Sequence, residues 1–111
     1  MVRAKTGSPV GRRVRVADRW WLRLRGLLHR PHLEAEEGLL LLDCPSIHTF
    51  GMRYPIDVAF LDSEGRVVRC LERLTPWRVG LGGAGSVHAL ELAAGRLRRT
   101  GTALGDVLRW S

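Results

Sequence analysis

Residues 55–72 read PIDVAFLDSEGRVVRCLE, and the fold follows from how this stretch is parsed. Two apolar-rich runs, 56–61 and 66–71, flank the polar break Asp62-Ser63-Glu64-Gly65. Branched and aromatic side chains on both sides of a short glycine-containing break specify a β-hairpin. Gly65 supplies the positive φ that such a loop requires.

Upstream, Pro45, Gly51 and Pro55 prevent regular helix across CPSIHTFGMRYP, residues 44–55. The apolar run 39–42, behind the acidic linker Glu34, Glu36, Glu37 and Gly38, is too short for a helix and reads as a strand buried on both faces. Further back, Val14 and Val16 alternate with Arg13 and Arg15, which predicts a short strand within 10–16 with one face in water. Between these strands, Trp20, Trp21, Leu24, Leu27 and Leu28 fall within about 120° of one another at helical spacing, with Arg19, Arg23 and Arg25 outside that arc. With Asp18 as N-cap and Pro31 as the stop, this predicts an amphipathic helix at about 18–29. Residues 1–9 carry Gly7, Ser8 and Pro9 and read as a flexible basic N-terminal arm.

Downstream of the hairpin, Pro76, Trp77 and a glycine-rich loop lead to a strand at 86–92, a turn of helix within 94–101, and a last strand opened by Gly105-Asp106. One helix among six or so strands predicts an α+β protein. Its expected form is a small, mainly antiparallel curled β-sheet or partial barrel with one N-terminal amphipathic helix. The expected organisation is the arm 1–9 followed by a single globular domain over 10–111.

A chain of 111 residues, 45% hydrophobic and 26% charged, is an ordinary globular domain, too short for separate catalytic and cofactor domains. Its net charge is +7, but Arg3, Lys5, Arg12, Arg13 and Arg15 precede every acidic residue. The remaining 13 basic and 11 acidic residues leave only +2. Lys5 is the sole lysine among 18 basic residues. Cys44 and Cys70 are too few for a disulfide scaffold and read as reduced thiols. The N-terminal stretch has no apolar run of the length a secretory signal needs, and no later segment suits a membrane helix. A cytoplasmic protein without membrane contact is the expectation.

Gly80-Leu81-Gly82-Gly83-Ala84-Gly85 matches G-x-G-x-x-G by letter, yet a strand rather than a helix is expected after it, which argues for a surface loop instead of a dinucleotide site. Cys44, His48 and Met52, spaced four apart, would share one face only on a helix that the prolines forbid. Buried core side chains explain the set more simply than a soft-metal site. A nucleophilic pair of Cys44 with His48 or His88 has no supporting motif. Neither metal nor cofactor is expected.

The carboxyls carry more information. On its strand Asp57 shares a side with Ala59 and Leu61, and Glu91 shares one with Val87 and Ala89. An acid in such a place must find partners or hold a proton. His48, Thr49, Met52, Asp57 and Glu91 are therefore the candidate ligand pocket. The competing structural role is acceptance of backbone hydrogen bonds from irregular chain. Trp77, beside Pro76, is the candidate surface contact.

The strings RLRGLL (23–28), SIHTFGMRYPIDVAFLDSEGRVV (46–68), ALELAAG (89–95) and Gly105-Asp106 resemble the bacterial and archaeal family known as domain of unknown function 192. The resemblance spans about residues 14–108 and implies a small β-rich α+β fold without assigning an activity. It also implies that exported relatives carry a Trp-Met-x-Asn-Thr string where this chain has His48-Thr49-Phe50-Gly51-Met52. That counts against His48 as an obligatory catalyst and leaves Pro55, Asp57, Glu91, Gly105 and Asp106 common to both patterns.

Three functions are consistent with these readings. The first is a small binding or accessory module for an unknown small molecule or protein. The second is a hydrolase- or isomerase-like enzyme that uses a carboxylate and His48. The third is nucleic-acid association through the basic arm.

Overall fold

The computed structural model describes residues 1–17 and 32–110. Among them the chain forms β1 (Val2–Ala4), β2 (Pro9–Gly11), β3 (Arg13–Ala17), β4 (Glu37–Leu41), β5 (Ser46–His48), β6 (Ile56–Leu61), β7 (Val67–Leu74), β8 (Val79–Leu81), β9 (His88–Ala93), α1 (Arg96–Thr100) and β10 (Leu108–Trp110). The main sheet has the order β3-β4-β9-β6-β7, with a three-stranded sheet β10-β1-β2 and a two-stranded ribbon β5-β8 beside it.

The main sheet is built around β6, every residue of which is buried. Alternation along its strands sorts the side chains onto two faces. On one face Leu40, Ala59, Leu61, Leu90 and Leu92 pack against Val2, Val10 and Leu108 of the three-stranded sheet and Leu97 of α1. On the other, Leu39, Leu41, Ile56, Val58, Phe60 and Ala89 pack with Ile47 and Met52. Pairings are antiparallel except β3 with β4, which is parallel in the register Val14↔Gly38 to Ala17↔Leu41. A parallel pair cannot be joined by a tight hairpin turn, and residues 18–36 separate these two strands in sequence.

The expected fold class needs correction. Strands dominate the described residues, the three sheets stay separate, and none closes into a barrel. The reason is that β1, β2 and β10 pair with one another and lie across a face of the main sheet, where Val2, Val10 and Leu108 are buried, meeting its edge through the single bridge Arg66↔Val107. The helix expected at about 18–29 lies outside the described residues; the helix of the described fold is the five-residue α1, near the other end of the chain. Residues 1–9, read as an arm, hold β1 and the start of β2, with Val2 paired to both Trp110 and Gly11.

The β6–β7 hairpin has its turn at Asp62–Gly65, as the sequence indicates. The Asp62 carboxyl accepts the backbone N–H groups of Glu64 and Arg66, both at 2.9 Å. The Arg66 amide is the main cause that draws the Asp62 carboxyl below its ordinary range. Gly65 has φ 85°, and a Cβ there would sit 2.5 Å from the Leu108 carbonyl oxygen. Gly65→Ala combines left-handed strain with a backbone clash, so it is expected to destabilise the protein by about 2–4 kcal/mol. Urea unfolding measures this directly, and an unchanged midpoint would contradict the buttressing of the turn by β10.

Candidate functional site

Asp57 lies fully buried on the face of β6 that it shares with Ala59 and Leu61. Opposite it β7 bulges: Ile56 pairs with Leu74 but Val58 with Leu71, so the partner strand holds an extra residue there. Arg73 takes up the distortion with φ 53°. Its amide, displaced from the ladder, donates to Asp57 Oδ1 at 2.9 Å, and the amide of Leu97 in the first turn of α1 donates to Oδ2 at 2.9 Å. One carboxyl thus joins the bulge to the helix. Arg96 anchors the same helix to β2, its Nε donating to the Val10 carbonyl at 2.8 Å and its Nη2 facing Glu36 at 3.2 Å.

Glu91 lies on the opposite face of the sheet. Its registered neighbours are Leu39 on β4 and Val58 on β6, both of the second core. It is only 3% exposed, and Oε1 accepts no hydrogen bond among the described residues. Burial pushes its pKa up to about 8, so the side chain holds its proton at neutral pH. Asp57 is registered with Leu92 and not with Glu91, so the two acids cannot share a pocket across the sheet.

Thr49 is also buried, with a different task. Its hydroxyl donates to the Thr75 carbonyl at 2.7 Å and accepts the Arg78 amide at 2.9 Å. Its carbonyl accepts the amides of Met52 and Trp77. Thr49 therefore clamps the 75–78 loop against the end of β5. Met52 is buried in the second core beside Ile47 and Ile56.

His48 is exposed on the ribbon, where its Nδ1 accepts the Phe50 amide at 3.3 Å. Its ring lies 5.1 Å from that of Phe50, and Phe50 stacks on Trp77 at 5.9 Å with an interplanar angle of 24°. Trp77 is 70% exposed, and along the ribbon Val79 and Leu81 are 56% and 60% exposed. Residues 77, 79 and 81 follow a period of two, while Gly80 between them faces Ile47 inside. Trp77 has φ 66°, a conformation costly for a bulky side chain.

The structure thus separates the five candidate pocket residues. Asp57 and Thr49 are occupied with backbone groups, Met52 is core, Glu91 faces the other side of the sheet, and His48 joins Trp77 at the surface. A cleft of about 500 Å³ lined by Ser63, Glu64, Leu108, Arg109 and Trp110 includes none of them. Phe50, Val79 and Leu81 escaped the sequence reading, although the alternation of 77, 79 and 81 was a usable signal. His88 accepts the Asp43 amide at 3.0 Å and stacks edge-on to Trp110. The cysteines lie against different cores, Cys70 against the first and Cys44 against the second. Burial raises the Cys70 thiol pKa. Among the described residues no three His, Cys, Asp or Glu side chains gather as metal ligands, and no helix is long and apolar enough to cross a membrane. The strand β9 follows the glycine-rich loop, where a dinucleotide site would need a helix.

These features describe a small β-rich protein that buries Asp57 and Glu91 on opposite faces of its main sheet and exposes Phe50 and Trp77 beside a two-stranded ribbon. The chain belongs to the DUF192 family, described as Uncharacterized ACR, whose model matches residues 2–110. It is 35% identical over 100 residues to a UPF0127 protein of Pyrococcus horikoshii, a match covering 87% of this chain and 86% of that protein. It is 34% identical over 102 residues to a UPF0127 protein of Thermococcus sibiricus, covering 88% of this chain and 66% of the relative's length. The same fold occurs in a crystal structure of a protein of unknown function from Novosphingobium aromaticivorans, with TM-score 0.83 and 23% identity over 98% of this chain and 83% of that one.

Proposed function

We propose that the protein is a binding module whose contact surface is the β5-β8 ribbon, with Trp77, Phe50 and His48 as its centre. The observation that carries this reading is Trp77: a large aromatic side chain held in a strained conformation by Thr49 yet left 70% exposed. Strain maintained in favour of exposure has no use in folding and a clear one in recognition. The enzyme reading has less support, because both oxygens of the buried Asp57 already accept backbone amides while His48 lies exposed on the ribbon.

Thermal unfolding of Trp77→Gly tests whether the side chain serves folding. Glycine relieves the positive φ while removing the ring stacked on Phe50, and these effects oppose each other at about 1 kcal/mol each. The expected Tm lies within about 3 °C of the parent. A fall well beyond that would assign Trp77 to the fold and remove the main support for the ribbon as a contact surface.

A further inference from the structure

We infer that the partner of this ribbon is single-stranded nucleic acid, with bases stacked on Trp77 and Phe50 and phosphates held by arginine. The inference rests on the ribbon being the contact surface, and adds the chemistry of what it contacts. Three observations point the same way. The rings of His48, Phe50 and Trp77 form one exposed tier at centroid spacings of 5.1 and 5.9 Å, inclined to one another by 31° and 24°. Such a tier presents π-faces of the kind on which unpaired bases stack without regard to sequence.

The segments that build the ribbon are also of one charge. Residues 44–55 and 75–87 contain Arg53 and Arg78 and not a single Asp or Glu. Both arginines branch from the Thr49 clamp: the Arg78 amide donates to its hydroxyl, and Arg53 follows Met52, whose amide donates to its carbonyl. Both side chains are exposed, Arg78 next in sequence to Trp77, and guanidinium matches phosphate in charge and geometry.

Thirdly, the basic N-terminal segment is the weaker candidate for the same ligand. Arg12 and Arg13 already face Glu36 and Glu34 at 3.5 and 2.9 Å, and Arg3 lies on β1 between β2 and β10. A duplex would hide the base faces that the tier is suited to contact, so the unpaired strand is the form expected to bind.

Fluorescence anisotropy of a labelled oligothymidylate of about twelve nucleotides, titrated with the full chain, tests this. The expected result is binding that weakens between about 50 and 200 mM salt. Trp77→Ala and Phe50→Ala should each weaken it about tenfold or more, and Arg78→Ala should lower the salt slope by about one. A duplex of equal length should bind less well. Absence of binding at low salt, or binding indifferent to Trp77→Ala and Phe50→Ala, would overturn the inference. A labelled copolymer of glutamate and tyrosine, run in parallel, separates the two levels of the claim. If it binds in a Trp77-dependent way and the oligonucleotide does not, nucleic acid is wrong and the ribbon stands as a site for acidic protein. If neither shows Trp77-dependent binding, both readings fall.

Discussion

Asp57→Ala is expected to destabilise the protein by about 3–5 kcal/mol, a large part of the stability of a domain this size. The loss has two sources. The Leu97 amide is buried and the Arg73 amide partly so, and without the carboxyl neither retains its acceptor. A hydrogen bond to a charged acceptor contributes roughly 1.5–3 kcal/mol, and an amide left without one costs its desolvation as well. Asp57→Asn keeps the shape but turns one acceptor into an N–H that faces another N–H, so about 2–3 kcal/mol is expected. Urea unfolding of both variants gives the values. Stability equal to or above the parent would mean that Asp57 is held under strain for a ligand, as catalytic carboxyls often are, and would restore the pocket.

Glu91 governs the second large effect, which appears as a dependence on pH. Its pKa stands at about 8 in the folded protein against an ordinary 4.5. The native state therefore keeps a proton that the unfolded chain has released between these values, and stability falls as pH rises through that window. The stabilisation is fully present below about pH 4.5 and lost as pH passes through 8. The loss is on the order of 5 kcal/mol across the window. Glu91→Gln replaces the protonated carboxyl by a neutral group of similar shape. It should flatten this part of the profile and leave the variant more stable than the parent at pH 8 and above. A parent profile flat between pH 5 and 8 would contradict the buried, unpartnered placement of Glu91.

Local patterns made much of the fold legible. The hairpin of β6 and β7 could be read because its signal is contained in eighteen consecutive residues, with Asp62 and Gly65 fixing the turn. The run at β4 and the alternation in β9 were similarly self-contained. β1, β5 and β8 were not, since each is three residues long and defined by distant partners: Val2 by Trp110 and Gly11, Ser46 by Leu81. The choice between one curled sheet and three separate ones depends on strand order, which no local pattern encodes. The amphipathic pattern at 18–29 lies outside the described residues.

The candidate site was legible in its members more than in its geometry. Alternation placed Asp57 with Ala59 and Leu61, and Glu91 with Ala89, as the two faces of the sheet have them. That these are different faces follows only from the register Asp57↔Leu92. The binding of Asp57 to Leu97 spans forty residues and needed the structure to find. Trp77 stood out beside Pro76, whereas its coupling to Phe50 depends on the Thr49 clamp, which joins segments more than twenty-five residues apart.

The central claim is a division of labour: buried Asp57 holds the fold and the exposed ribbon makes the contact. Thermal unfolding of Asp57→Asn and Trp77→Gly, side by side at neutral pH, tests it most directly. The account predicts a fall of about 10 °C or more for Asp57→Asn and little change for Trp77→Gly. The reverse pattern, with Asp57→Asn as stable as the parent and Trp77→Gly markedly weakened, would contradict it.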